Sequence, residues 1–462
     1  MISILAAMVG LLAVFLLWKR QRPAFIGAFL IVYSFAYRMI DVTYLDVFGP
    51  IYAIELERHV GGNAAAPMFV IAALCFLIPL AWIASRRRIL AGIEESLPQS
   101  AYLDGLQRAA LGVCGAVVGF LYFDMLRIGT IPLLSGMDRL DYNPIAGLLH
   151  NRAYELNFLL SASLGVFTVL PRLRGGRFSL AFPMLIMLLL MYWALTGNRF
   201  SAFLVTCSFF ALPFAAVVAM QQKGILRAVS GHPWGALVSL RVVGPLAVLA
   251  AAVTVTGLLI NSYYSVRNYA DPVYHMTQRA LVQPVQTWAT AWDRTGAERA
   301  VNHRAIDEVI FNPTEVGGNP SMRYIMEFEL GYFRANELLA SGHQYAGGYP
   351  EIFFELFGFW LPIPLMILLG CTAAYLIYLA LRSLCRGMPM TALMAIYLSF
   401  GFTVSYLGGM LSFLLAPTYA MKLLALIIFY IAERNIVSQE SRRSRFVPTP
   451  GPTTVAVRSS HR

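Results

Sequence analysis

A chain of 462 residues that is 58% apolar and only 13% charged lies far from the composition of soluble globular proteins, which excludes an ordinary water-soluble domain. The formal charge is +11, but its distribution along the chain, traced below, argues against a nucleic-acid footprint. Five cysteines, at 75, 114, 207, 371 and 385, form no CxxC or Cys/His spacing, so neither a disulfide framework nor a zinc site is legible.

Apolar runs of about 17–23 residues recur from the first residues onward and predict transmembrane helices. A chain crossing lipid must satisfy its backbone hydrogen bonds within each segment. The expected fold class is therefore all-α, a polytopic membrane protein of about 11 transmembrane helices. The spans are placed at 2–18, 23–40, 67–85, 107–126, 154–171, 178–196, 200–220, 238–260, 351–381, 388–409 and 412–432. The first run has the length of a signal peptide. It lacks a basic leader, and Lys19, Arg20 and Arg22 stand where a cleavage site would, so it is read as a retained first helix.

Alternation of the loops then tests sidedness. With Lys19–Arg22 placed inside, the inner side also collects Arg86–Arg88, Arg108, Arg172, Arg174, Arg177, Lys223, Arg227, Arg241, Arg382, Arg386 and the arginines of the tail. Its acids are only Glu94, Glu95, Asp104, Glu433 and Glu440. This is the positive-inside pattern, and it accounts for most of the net charge. The N-terminus is expected outside and the C-terminus inside.

The chain divides accordingly. Residues 1–260 hold the first eight helices, 261–350 form one large outer loop containing short helices, 351–432 hold the last three helices, and 433–462 form an inner tail. The tail is Ser/Pro/Thr/Arg-rich from Arg442 and is expected to be disordered. Within the loop, 272–294 reads as a helix interrupted at Pro284, and 321–340 as another. Gly317-Gly318, Gly342 and Gly347-Gly348-Tyr349-Pro350 read as breakers. Asp41–Pro67 and Arg127–Arg152 are further outer segments.

The large loop is the one long hydrophilic stretch. Its cations are arginines (267, 279, 294, 299, 304, 323 and 334) with no lysine, interleaved with aromatic residues that include Trp288 and Tyr349. Arginine presents a planar fork that suits phosphate oxygens. The alternative is pairing with the nearby acids Asp293, Glu298, Asp307, Glu308, Glu327, Glu329 and Glu337. Arg199, in the turn Thr196-Gly197-Asn198-Arg199 between two apolar spans, is either a phosphate ligand or an interface anchor. Arg267 follows the eighth span closely and belongs near the same interface.

Arg279, Gln283 and Gln286 fall at offsets of four and seven, one face of a helix. With Trp288 they suit a sugar, whose hydroxyls bond amides and whose ring stacks on an indole; the alternative is an amphipathic helix lying on the bilayer. His343, beside a glycine-flanked turn, is a candidate general base. Glu351 and Glu355 lie one helical turn apart. For Glu351 the helix dipole supplies a structural role; Glu355, deeper in, is either a base or an arginine partner. Walker A, GxSxG, HExxH and GxGxxG patterns are missing, and no metal or other cofactor is expected.

The arrangement of spans around one large outer loop, the GNRF turn and the segment YPEIFFELFGFW resemble the Wzy-type oligosaccharide repeat-unit polymerases, related to the O-antigen ligases. GTIPLLSGMDRLDYN, which carries Arg139, resembles their first large outer loop, and RALVQPVQTW resembles their amphipathic loop helix. The ligase-like histidine motif departs here. His343-Gln344 is followed by its next helix glycine only at Gly358, which leans toward the polymerases.

The resemblance implies a metal-independent, inverting glycosyl transfer in the bacterial inner membrane, with the large loop in the periplasm and the tail in the cytoplasm. The partners it implies are undecaprenyl-diphosphate-linked oligosaccharide, the lipid bilayer and a chain-length regulator protein, with no nucleic acid. In that frame Arg199, Arg267, Arg279 and Arg139 are candidate ligands of substrate, together with Gln283, Gln286, Trp288 and Tyr349. His343 and Glu355 are the candidate catalytic groups. A ligase and a lipid-linked oligosaccharide transporter or flippase are the competing expectations.

Overall fold

A computed structural model describes residues 1–135, 137, 142–197, 200–226, 271–297, 300–311, 320–340 and 347–446. The expected span at 238–260, and with it Arg139, Arg199, Arg267 and His343, lies outside the described residues, as does the tail beyond residue 446. What is described is mostly helical, as an all-α membrane protein requires. Among these residues six helices are long and apolar enough to cross a bilayer: Ile2–Arg20, Ala66–Ile83, Ala101–Ser135, Ala202–Gln222, Pro362–Cys385 and Pro389–Gly408. A seventh is added if Leu148–Glu155 and Asn157–Leu173, bent by 68° at their junction, are taken as one span.

Several expected spans take a different local form. The stretch 23–40 breaks at Ala28 into Arg22–Gly27 and Phe29–Phe48, and the second helix runs eight residues further than expected. The stretch 351–381 divides into a short helix, Glu351–Phe357, a turn, and the helix Pro362–Cys385. Gly358 ends the first piece with a φ of 71° and Pro362 opens the second, so the separation is written in residue chemistry. The helix Ala181–Leu195 has only 15 residues. The last helix, Pro417–Phe446, extends well past the expected end at 432, so the start of the tail is helical.

Carboxylates from distant segments cap two of the spanning helices. Asp46, near the end of Phe29–Phe48, accepts the N–H groups of Ala65 and Ala66 at 3.0 and 2.9 Å. Glu433, 2% exposed, accepts from the N–H groups of Met390 and Thr391, the Thr391 hydroxyl and the Tyr102 hydroxyl, all within 2.9 Å. Each helix start leaves backbone donors without an internal partner, and a nearby negative charge also suits the helix dipole.

The two ends of the bundle differ chemically. At one end the basic loops meet. Lys223 donates to the Ile93 carbonyl at 2.6 Å and Arg382 to the Arg88 carbonyl at 2.6 Å. Arg174 pairs with Asp104 at 2.5 Å, and the N–H of Leu97 bonds the Leu173 carbonyl at 3.0 Å. At the other end a small antiparallel hairpin, β1 (Ile51–Ala53) and β2 (Arg58–Val60), pairs Ile51 with Val60 and Ala53 with Arg58. It packs beside the π-helical turn Gln278–Val282 and the helix Gln286–Ala297 of the hydrophilic segment. The core between the ends is aromatic: Tyr349 lies 5.6 Å from Phe35 and 4.7 Å from Tyr406, centroid to centroid.

Pro362–Cys385 packs against both Ala66–Ile83 and Pro389–Gly408. Close approach is possible because Gly370 lies against the Cys75 carbonyl, where a Cβ would overlap backbone. Gly370→Leu is expected to lower the melting temperature of the detergent-purified protein, at a cost of roughly 1–3 kcal/mol. Gly112→Leu, on an exposed helix face with nothing within 4 Å of the added Cβ, serves as the control and should melt within error of wild type. Equal melting of both variants would contradict the close packing.

Candidate functional site

The hydrophilic segment is fastened to the bundle by a buried charge cluster. Arg38, in the middle of Phe29–Phe48 and 3% exposed, donates to the Tyr349 carbonyl and to Glu351 Oε1, the latter at 2.6 Å. Its guanidinium also lies over the Phe69 ring, 5.0 Å from the centroid. Glu351, fully buried, accepts two further bonds at 2.9 Å, from the Thr287 hydroxyl and the Gly348 N–H. Three separate stretches thus converge on one carboxylate. Gly347 and Gly348 have φ of 113° and 125°. A Cβ on Gly347 would come within 2.7 Å of Glu351 Oε1 and 3.0 Å of the Thr287 hydroxyl, so both backbone shape and space call for glycine there.

One turn beyond Arg38, Asp41 is fully buried, and neither of its oxygens has a hydrogen-bond partner among the described residues. Burying an ionisable group without a partner is expensive, and such groups mark functional sites more often than structural ones. The neighbouring Tyr37 hydroxyl donates to the Ala280 carbonyl, so the π-helical turn Gln278–Val282 lies over this part of the helix. π-Helical turns recur at functional sites. The sequence marks Asp41 only as the first residue of an outer segment. The signal available was the i, i+3 pair Arg38 and Asp41 at the edge of an apolar run.

Beside this turn lies a polar seam. Gln278 donates from Nε2 to the Tyr52 carbonyl at 2.9 Å, and Gln286 donates to Glu55 Oε2 at 2.7 Å. The side-chain carbonyl oxygens of both glutamines are buried without a partner among the described residues. Burial raises the Glu55 carboxyl above the usual carboxylate range, against the opposing pull of the Gln286 bond and of the Arg279 charge. Arg279, Gln286, Glu55 and Gln278 therefore form one polar neighbourhood, in which the two glutamines are buried.

The expected shared helix face of Arg279, Gln283 and Gln286 does not form. The chain is π-helical over Gln278–Val282 and turns at residues 283–285, where Pro284 removes a backbone donor, before Gln286 opens a new helix. Gln283 sits half-buried in that turn. Trp288 is fully buried, its indole N–H donating to the Ala65 carbonyl at 3.1 Å and its ring packed among Phe69, Trp292 and Phe354. It presents no face on which a sugar could stack. Tyr349 is likewise fully buried, with its hydroxyl on the Ala72 carbonyl at 2.8 Å. Both are core residues, because the segment folds onto the bundle and turns its aromatic side inward.

Glu355 takes the second of its two expected roles. Its Oε1 accepts two bonds from Arg294, at 3.0 and 2.5 Å. Arg294 also reaches Glu329 at 2.5 Å, and Glu329 accepts from Thr290 at 2.8 Å and from Arg58. This network ties the helices Gln286–Ala297, Pro320–Leu330 and Glu351–Phe357 together. In this arrangement Glu355 is an arginine partner, and its accepting oxygen is occupied. Arg304, Arg323 and Arg334 also pair with carboxylates, those of Glu308, Glu327 and Glu337.

Residues 316–427 match a family of unknown function, DUF6418. The match takes in Tyr349, Glu351, Glu355 and the helices Pro362–Cys385 and Pro389–Gly408. No curated protein and no solved structure matches the chain.

Removing either member of a buried ion pair strands the other charge, at about 3–5 kcal/mol. Arg38→Ala and Glu351→Ala should each lower the melting temperature of the purified protein by several degrees. The volume-matched double variant Arg38→Met/Glu351→Leu should recover much of the loss. Additive losses in the double variant would show that the two side chains do not act as a pair.

Proposed function

We propose that this chain is a membrane glycosyltransferase that polymerises undecaprenyl-diphosphate-linked repeat units into a surface polysaccharide. The proposal includes eleven spans in a bacterial inner membrane, an outer N-terminus, a periplasmic segment at 261–350 and a cytoplasmic C-terminus. The observation that carries it is the seating of the hydrophilic segment. It is locked by the buried Arg38–Glu351–Thr287 cluster over an unpartnered buried Asp41, at the end of the bundle opposite the basic loops. A linker would not need such an anchor. A site that handles a lipid-borne substrate does, because its polar groups must be held at the level of the membrane surface.

The chemistry asked of the site is an inverting displacement. The acceptor hydroxyl oxygen forms a bond to the anomeric carbon, the bond from that carbon to the diphosphate oxygen breaks, and the diphosphate leaves with the electron pair. Positive charge placed where that charge develops lowers the barrier. Arg279, in the polar neighbourhood of Glu55, with Arg199, Arg267 and Arg139 from outside the described residues, fills that part. The hydroxyl proton needs a base, for which His343 and Asp41 are the candidates in place of the arginine-paired Glu355. Gln283, half-buried in its turn, supplies an amide for a sugar hydroxyl, while the fully buried Gln286 holds the Glu55 carboxylate in place.

A transporter or flippase for the same lipid-linked sugar is the second reading. Two observations favour it: the break at Ala28 and the 68° bend between Leu148–Glu155 and Asn157–Leu173, since interrupted helices are characteristic of transporters.

Electrophoresis of surface polysaccharide from cells with and without the gene tests the proposal. Deletion is expected to collapse the ladder to a single repeat on its carrier, and Arg199→Ala, His343→Ala or Asp41→Asn in the restored gene should each reproduce much of that collapse. Polymer stranded on the lipid carrier would identify a ligase. Repeats trapped on the inner face would identify a flippase. A normal ladder in the deletion strain would end the polymerase reading.

A further inference from the structure

At the basic end of the bundle, two helices bring together arginines that the proposed chemistry does not use. Pro362–Cys385 ends there, and Tyr378, Arg382 and Arg386 follow one another at intervals of four residues along its last turns. The last helix, Pro417–Phe446, passes the same point and carries Tyr430 and Arg434 at the same interval. Its placement is fixed by hydrogen bonds. Glu433 accepts the N–H groups of Met390 and Thr391, just beyond the turn that holds Arg386, and the Tyr419 hydroxyl donates to the Leu398 carbonyl further along the bundle. Both helices therefore run toward the basic end, and on each the tyrosine lies one turn deeper than the arginine that follows it.

The charges in this cluster do not cancel. Arg386 is half-buried and Arg434 exposed, and neither side chain has a hydrogen-bond or carboxylate partner among the described residues. The groups that act electrostatically on Arg386 are two arginines, Arg382 and Arg434, and two tyrosines, Tyr378 and Tyr430. Burial lowers the Arg386 guanidinium from its ordinary pKa and the two neighbouring positive charges lower it further, against the opposing pull of the tyrosines. Arg382 bonds only a neutral group, the Arg88 carbonyl, and its guanidinium lies 5.7 Å from the centre of the Tyr378 ring. Glu433 is close by, but its carboxylate is engaged by the start of Pro389–Gly408 and by the Tyr102 hydroxyl. Setting its full charge against the three arginines still leaves two positive charges unmatched. A separate observation gives the level of the cluster in the bilayer. Trp82, 65% exposed near the end of the apolar helix Ala66–Ile83, lies under the Arg88 guanidinium at 3.9 Å, and Arg88 is the residue whose carbonyl Arg382 holds. An exposed indole beside an arginine at the end of a span marks the head-group region.

We propose that Arg382, Arg386 and Arg434 bind the head group of an anionic phospholipid that carries two phosphates, taken from the leaflet at this end of the bundle. The two unmatched positive charges balance the two phosphates, and each guanidinium offers phosphate oxygens a planar fork of donors. Tyr378 and Tyr430, one turn deeper, meet the glycerol and the first carbons of the acyl chains, which a free anion in water would not supply. Basic sites between transmembrane helices are a recurrent way of holding acidic head groups. The proposal is independent of the polymerase reading, since it concerns the other end of the bundle and requires only that the chain sit in a membrane.

Native mass spectrometry of the full chain in detergent, given equal amounts of cardiolipin, phosphatidylglycerol and phosphatidylcholine, is the test. Cardiolipin, with two phosphates, should be retained ahead of the other two. Arg434→Gln should weaken that retention about fivefold, and adding Arg386→Gln about 25-fold. Arg434 is exposed, so its variant is expected to fold normally and decides the matter even if Arg386→Gln proves unstable. Arg177→Gln removes an equal charge from an exposed loop position at the same end and should leave retention unchanged. Cardiolipin held no better than phosphatidylglycerol, or unchanged binding in Arg434→Gln, would overturn the proposal. An equal loss in Arg177→Gln would also overturn it and leave only a general attraction of the basic end for acidic lipid. Complete displacement of cardiolipin by inorganic diphosphate would reassign the cluster to a free anion.

Discussion

A guanidinium buried in a membrane helix must be matched by an anion, and for Arg38 the match arrives from a residue 313 positions later in the chain. Glu351 belongs to the point where the hydrophilic segment returns to the bundle. It can reach Arg38 only if that segment has already folded back, with Thr287 and the Gly347-Gly348 turn in place around it. The pair thus acts as a closure condition for the outer end. The aromatic packing of Trp288, Tyr349 and Phe354 against Phe35, Phe69 and Tyr406 then follows from the same seating.

Most of the buried polar groups in the bundle are accounted for in the same economical manner. Asp46 and Glu433 are buried or nearly so because each satisfies the donors at the start of another helix. Asn157 accepts from the Trp193 indole and donates to Thr206, joining three helices in the apolar interior. Against this background the exceptions stand out. Neither oxygen of Asp41 has a hydrogen-bond partner among the described residues, and Arg174, bonded to Asp104 through Nη1, has its Nε and Nη2 left without one there.

The arginines of the hydrophilic segment face two kinds of acid. Arg294, Arg304, Arg323 and Arg334 are engaged by carboxylates, and Arg294 in particular holds two acids from different helices. Their role is to give a strongly polar segment internal structure. Arg279 bears on an acid from outside the segment, Glu55, whose carboxyl also accepts from Gln286. Arginine content alone did not distinguish these two situations.

Hydropathy and charge by themselves determined that the chain is a helical membrane protein, that its cations gather on one side, and that one hydrophilic segment stands apart. These are properties of local composition, and lipid leaves a chain few other ways to satisfy its backbone. Pro284 interrupts its helix as expected, whereas Gly331 and Gly358 break the stretches 321–340 and 351–381 that hydropathy reads as continuous. Partnership was decided only by the tertiary structure. Whether Glu355 meets a substrate or Arg294, whether Trp288 faces water or Phe69, and whether Asp41 has a donor all depend on segments tens to hundreds of residues apart coming together. A side chain's spacing along its own helix sets the direction in which it points; what lies in that direction is set by the packing of the other helices, which no local pattern encodes.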